Sequence, residues 1–145
     1  MRQTVLIIKP EAFNNSQKIL KIVKNAGFRI IGINECSLDK KKLEYFCAEH
    51  YDKPWFEVYY DHMSSGPIMV VLLEKGGDAV NDLHKFVGAT DPAVAEDGTL
   101  RKMFWIPGPK EKGMFLNAFH SSDSDKAADE DIAFWKEYGF KSLIN

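Results

Sequence analysis

His120 lies in the run Asn117-Ala-Phe-His-Ser-Ser-Asp-Ser124, between a short apolar stretch (Met114 to Leu116) and a cluster of small polar residues. An imidazole where a strand meets a Ser/Asp-rich turn can be oriented by hydrogen bonds and kept partly open to solvent. A nucleophile or a general base needs both. A histidine on a plain surface turn would share this local sequence, so its neighbours matter. Asp131 is the oddest of them: it falls three residues after Ala128 and just before Ile132, within the stripe a helix there should bury. A carboxylate near a core face calls for a partner, and His120 upstream could supply one, unless Asp131 simply reaches solvent at the stripe's edge. Glu130 falls on the solvent side of the same pattern.

Three other positions could handle an anion, and Asn117 could join them in one pocket. Lys9 follows an apolar run and is held by Pro10, which puts an ammonium at a strand end or leaves it snorkelling at a sheet edge. Arg101 follows the turn Asp97-Gly-Thr-Leu100, and a planar guanidinium suits phosphate or carboxylate in bidentate geometry. The segment Gly88-Ala-Thr90-Asp-Pro92 offers a hydroxyl and backbone N–H groups at a helix end. Asn117 shares a pocket with His120 only if a turn between them brings both side chains round. No P-loop, dinucleotide-type glycine loop or zinc spacing is present. A bound phosphate would fall to Lys9, Arg101, Thr90 and a Mg²⁺ carried by the substrate.

The elements that must position these residues can be read from apolar periodicity. Val5 to Ile8 is a continuous apolar run that suits a buried central strand, stopped by Pro10, which lacks an N–H for the ladder. Ile19, Ile22, Val23 and Ala26 recur at helical spacing up to Gly27. Phe28 to Leu38 returns to strand composition. Asp39 caps a second helix bearing Leu43 and Phe46, and Pro54 opens a third bearing Trp55, Val58, Tyr59 and Met63. Ile68 to Leu73 is another apolar strand, and Gly76-Gly-Asp78 opens a further helix. The region from Gly88 to Leu116 is loop-rich, the run from Met114 reads as a short final strand, and a last helix starts near Ser124. The order strand, helix, strand, two helices, strand, helix, strand, helix predicts a split βαβ sheet with helices packed on one face.

Composition narrows the function classes. The 145 residues suit one domain spanning 1–145 with a core of its own, and the 45% hydrophobic and 28% charged fractions are those of a soluble globular protein. A net charge of −2 gives no broad basic surface, so nucleic acid and membrane are not expected partners. Cys36 and Cys47 form no CxxC, and a start that runs straight into a strand suggests no signal peptide. A reduced, cytoplasmic protein is expected.

Six segments, in order, resemble the nucleoside diphosphate kinase family: Val5-Leu-Ile-Ile-Lys-Pro-Glu11, His50-Tyr51, Ser65-Gly-Pro67, Gly88-Ala-Thr-Asp-Pro92, Gly98-Thr-Leu-Arg101 and Asn117 to Ser124. The resemblance covers nearly the whole chain. It implies an α+β, ferredoxin-like βαββαβ fold, an antiparallel four-stranded sheet with helices packed on it, assembled as a homo-oligomer of four or six chains. It also implies ping-pong transfer of the γ-phosphate of a nucleoside triphosphate such as ATP to a nucleoside diphosphate, with Mg²⁺ carried by the nucleotide phosphates. By motif position His120 is the nucleophile. Lys9 and Tyr51 contact the transferring phosphate and ribose, Thr90 and Arg101 the phosphates, Asn117 the sugar and Trp55 the base, while Ser122 and Asp131 orient the imidazole.

The chain departs from the family pattern in several places. Glu11 stands for the usual aspartate, Trp55 for a phenylalanine after a shortened connection, His84 for a second phosphate-binding arginine, and Ser121 for glycine. Asp131 stands for a longer glutamate. If position 121 required φ > 0, the serine would be strained. The loop between Arg101 and Asn117 is longer than usual, and Lys110 or Lys112 on it could replace the missing charge. These departures leave a second reading open, a non-catalytic nucleotide-binding or assembly module on the same fold.

Overall fold

The structure is a computed structural model that describes residues 1–46, 48, 52–54, 56–104 and 116–142. The inner strand β1 (Arg2–Ile8) pairs antiparallel with β3 (Pro67–Lys75) on one side and β4 (Phe119–Ser121) on the other. Beyond β3 lies β2 (Arg29–Ser37), and the two-residue β5 (Lys141–Ser142) closes that edge, giving the order β4-β1-β3-β2-β5. Without β5 this is the ferredoxin-like arrangement expected from the resemblance. The fifth strand is accommodated at Gly32, where a Cβ would stand 2.7 Å from the Cβ of Phe140. A bulge between Ile30 and Gly32 lets β2 change its pairing register there.

The continuous apolar runs in β1 and β3 have a direct consequence. Alternate residues of a strand face opposite sides of the sheet, so a run with no polar member must be covered on both. Leu6, Ile8, Met69, Val71 and Leu73 pack under α1 (Ser16–Asn25) and α4 (Ala79–Val87). Val5, Ile7, Ile68, Val70 and Leu72 meet Leu43 of α2 (Lys40–Phe46), Tyr59 and Met63 of α3 (Phe56–Ser64), and the fully buried Trp135. Helices therefore cover both faces, not one as the element order suggested. Two apolar faces on one sheet cannot both be left to water when each buried Leu or Ile contributes ~1.5–3 kcal/mol.

Local signals place three helix starts. The Asp39 carboxylate accepts the N–H of Lys42 at 2.9 Å to start α2, and Ser124 Oγ accepts that of Ala127 at 3.1 Å to start α6 (Asp125–Lys136). Thr99 caps α5 (Leu100–Met103) in the same way, presenting Arg101 at its first turn. The strand expected from Met114 starts only at Phe119, so His120 lies within β4, opposite Ile7, instead of following it. Residues 105–115, where the sequence suggested the beginning of that strand, are outside the described residues.

Candidate active site

The ends of β1 and β4, the last turn of α4, and α5, α2 and α6 enclose a cavity of about 560 Å³. It brings together Lys9, Thr90, Arg101, Asn117, His120, Ser122 and Asp131. These come from five separated stretches of chain, and the fold alone assembles them.

His120 is held by its Nε2, which lies 3.2 Å from Oδ2 of Asp131, and its ring packs against Phe46 with centroids 5.3 Å apart. Asp131 is buried on α6 and accepts two further bonds, from Ser122 Oγ at 2.7 Å and from the Tyr45 hydroxyl at 2.9 Å. Burial alone would raise the carboxyl's pKa. The hydrogen bond and charge of His120, with the bonds from Ser122 and Tyr45, outweigh it and hold Asp131 below its ordinary value. At neutral pH the group is a carboxylate and can only accept. Nε2 must therefore carry the hydrogen, so whenever the ring is neutral its lone pair is on Nδ1. The His120 side chain is 37% exposed.

The chain reaches His120 through an unusual turn. Ala118 has φ +66, and Phe119 N–H donates to the Asn117 carbonyl at 2.7 Å, a γ-turn with its central residue on the left-handed side. Such a residue costs about 1–3 kcal/mol, offset by what surrounds it. Lys9 N–H donates to the Ala118 carbonyl at 2.8 Å, and Ala118 N–H donates to Oε2 of Glu11 at 3.2 Å. Glu11 also accepts from Nε2 of His62 at 2.9 Å. Burial would raise its carboxyl, but the His62 bond and the Lys9 charge keep it below the ordinary value. The turn does what the sequence required of it: Asn117 and His120 share one cavity.

Lys9 is 6% exposed, and β1 lies inside the sheet, so the residue is not snorkelling at an edge. Its ammonium donates to Asn117 Oδ1 at 2.8 Å and sits 5.4 Å from the centroid of the Tyr59 ring. The Asn117 amide in turn donates to the Thr90 carbonyl at 3.2 Å, which ties the exposed Thr90 loop to the strand end. Arg101 follows a turn in the sequence, but the fold buries it. It is 7% exposed, and its guanidinium donates to the carbonyls of Asn117 (Nε, 3.2 Å), Gly88 (Nη1, 2.8 Å) and Phe119 (Nη2, 2.8 Å). Burial pushes its pKa down to about 10, with Tyr59 acting the other way, so it stays charged at neutral pH. A guanidinium has five N–H bonds, so one on each terminal nitrogen remains beside the cavity.

A family model described as nucleoside diphosphate kinase matches residues 2–139. The chain belongs to that family. It is 38% identical over 135 residues to nucleoside diphosphate kinase 1 of Protochlamydia amoebophila, covering 92% of this chain and 91% of that one. It is 33% identical to the nucleoside diphosphate kinase of Persephonella marina, covering 93% of each. A crystal structure of the Aquifex aeolicus nucleoside diphosphate kinase superposes with a TM-score of 0.76 at 32% identity, covering 92% of this chain and 93% of that one.

Against the family pattern, three departures take on a physical form. Glu11, longer than aspartate, spans from the 3-10 turn after β1 to Ala118 and His62. Asp131, shorter than glutamate, still reaches His120. Ser121 carries no strain: among the described residues the positive-φ non-glycine is Ala118, three positions earlier. Tyr51, Trp55, Lys110 and Lys112 lie outside the described residues. Two contacts went unread in the sequence, the Tyr45 hydroxyl on Asp131 and the Phe46 ring on His120. The only hint was that both sit on the inward flank of α2, which looked merely amphipathic.

The depressed Asp131 carboxyl predicts an acid signature. A group whose folded pKa lies below its unfolded value adds stability above the unfolded value and loses it as pH falls through the folded one. Asp131→Asn removes that term, so its melting temperature should fall less steeply than wild type on acidification below about pH 4. Parallel slopes in a calorimetric pH series would show that Asp131 is not held ionised by its three donors.

Proposed function

We propose that this nucleoside diphosphate kinase carries the phosphoryl group on Nδ1 of His120. One observation supports this above the others: Nε2 faces a buried carboxylate, so the neutral form of this half-open imidazole has its lone pair on Nδ1. That lone pair attacks the γ-phosphorus of a nucleoside triphosphate. The N–P bond forms, the bond to the β,γ-bridging oxygen breaks, and the diphosphate leaves with the electron pair. A second diphosphate reverses the step through its terminal oxygen, and the histidine is restored. Positive charge that builds on the ring is balanced by Asp131, so no proton needs to move from Nε2.

Lys9 and Arg101 supply positive charge to the phosphates in a partly enclosed cavity, where it counts for more than in water. Thr90 and Asn117 line the same space and would meet phosphate and sugar. Ser122 and Tyr45 act one step back, on Asp131. Among the described residues no group of three His, Cys, Asp or Glu side chains converges as cation ligands. In this proposal Mg²⁺ comes with the substrate and neutralises charge on the nucleotide phosphates. Among the described residues no helix is long and apolar enough to cross a membrane. A homo-oligomer of four or six chains in the cytoplasm belongs to the same proposal.

The test is intact mass after mixing with ATP and Mg²⁺. An acid-labile phosphoryl adduct that disappears on adding GDP is the expected result, with peptide mapping placing it on His120. A protein that binds ATP and forms no adduct would be a nucleotide-binding module without this chemistry.

A further inference from the structure

His84 and Ser121 are far apart in the chain and adjacent in the cavity wall. His84 is half-buried on the last turn of α4, a helix that packs on β1 and β4. Ser121, 8% exposed, ends β4 directly after His120, and its side chain leaves the opposite face of the strand. Nδ1 of His84 lies 3.1 Å from Ser121 Oγ, and both residues border the cavity shared by Arg101 and His120. Among the described residues Nε2 of His84 has no hydrogen-bond partner.

We propose that His84 and Ser121 form one phosphate-binding unit, in which Ser121 takes Nδ1 and thereby keeps an N–H on Nε2 for a phosphate oxygen of the bound nucleotide. The inference rests on the nucleotide reading of this cavity and adds two residues to it. Its logic is that of an imidazole with one nitrogen occupied. If the serine hydroxyl donates to Nδ1, the neutral ring must carry its hydrogen on Nε2. If the ring is protonated, both nitrogens donate and the hydroxyl oxygen accepts at Nδ1. Only the remaining tautomer, with Nδ1–H donating to serine, points a lone pair at the nucleotide, and an anion selects against it. A short hydroxyl at the end of β4 thus sets what the helix presents. His84 is a binding residue in this scheme, and Ser121 is a positioning residue that acts through it.

The experiment is the dissociation constant of ADP, measured calorimetrically on the full chain. It requires no turnover, so its outcome is separate from that of phosphohistidine formation. His84→Ala should weaken ADP about tenfold and Ser121→Ala several-fold, while the double variant should be no weaker than His84→Ala within about twofold. His84→Gln, which places an amide N–H near the position of Nε2, should recover to within about threefold of wild type. Unchanged ADP affinity in His84→Ala overturns the proposal, as do single-variant effects that multiply in the double variant. So does failure of glutamine to rescue in a protein that melts like wild type. A wild type that forms no phosphohistidine but loses ADP affinity on His84→Ala would overturn the catalytic reading and leave this one standing. A wild type that does not bind ADP overturns both.

Discussion

His120→Ala should lower turnover by at least about 10⁴-fold, equivalent to about 5.5 kcal/mol of transition-state stabilisation, while ADP binding stays within a few-fold of wild type. The split follows from the geometry. The covalent route is lost with the ring, because no other imidazole is oriented by a buried carboxylate in the described cavity. The positive charge stays: Lys9 and Arg101 are anchored to Asn117, Gly88 and Phe119, and none of these bonds passes through the His120 side chain. Asp131 keeps two of its three donors, Ser122 and Tyr45, so the carboxylate is not abandoned in the core and the melting temperature should move little. Coupled-assay kinetics with calorimetric ADP binding on the same preparation make the check. Residual turnover above one per cent of wild type would mean that the phosphoryl group travels by another path.

Arg101→Ala should be the most destabilising single change at the site, by about 3–5 kcal/mol. The side chain closes three backbone carbonyls from two distant segments, and deletion leaves all of them without the charged donor that joined them. Gly88 has φ +96, and a Cβ there would stand 2.8 Å from Thr99, so the backbone that Arg101 grips has little freedom to find another partner. The Phe119 carbonyl lies in β4 itself, and its loss loosens the strand that carries His120. For a chain of this size the melting temperature should drop by roughly 10–15 °C. Arg101→Lys should recover little of it, because an ammonium cannot reach three divergent acceptors in one plane. Scanning calorimetry of the two variants decides the matter. A drop under about 3 °C in Arg101→Ala would show that water replaces the guanidinium at those carbonyls and that the residue serves the ligand alone.

These two expectations differ in how far the sequence supported them. The candidacy of His120 was legible locally: small polar residues after it, an apolar stretch before it, and a carboxylate on the buried stripe of the following helix. Such signals lie within one or two turns of chain, and periodicity reports them faithfully. The central strands were legible for a similar reason, since an unbroken apolar run such as Val5 to Ile8 is soluble only when covered. The same run already required cover on both faces, though the order of elements alone suggested one.

What the tertiary structure decided were the contacts between residues far apart in sequence. Tyr45 and Asp131 are separated by 86 positions, His84 and Ser121 by 37, and Glu11 and Ala118 by 107. No local pattern marks such pairs, because each member looks ordinary in its own segment: a tyrosine on an amphipathic helix, a histidine near a helix end, a glutamate after a proline. The pairing comes from the β4-β1-β3 order, which sets α4, α6 and the two strand ends around one space. Arg101 shows the limit most plainly. Its sequence setting, a capped turn in a loop-rich region, fits an exposed cation, yet the fold buries it as a clamp. The sequence determined which chemical groups are present and which segments form strands and helices. Packing those segments decided which nitrogen of His120 is left open, because that depends on where a carboxylate from another element comes to rest.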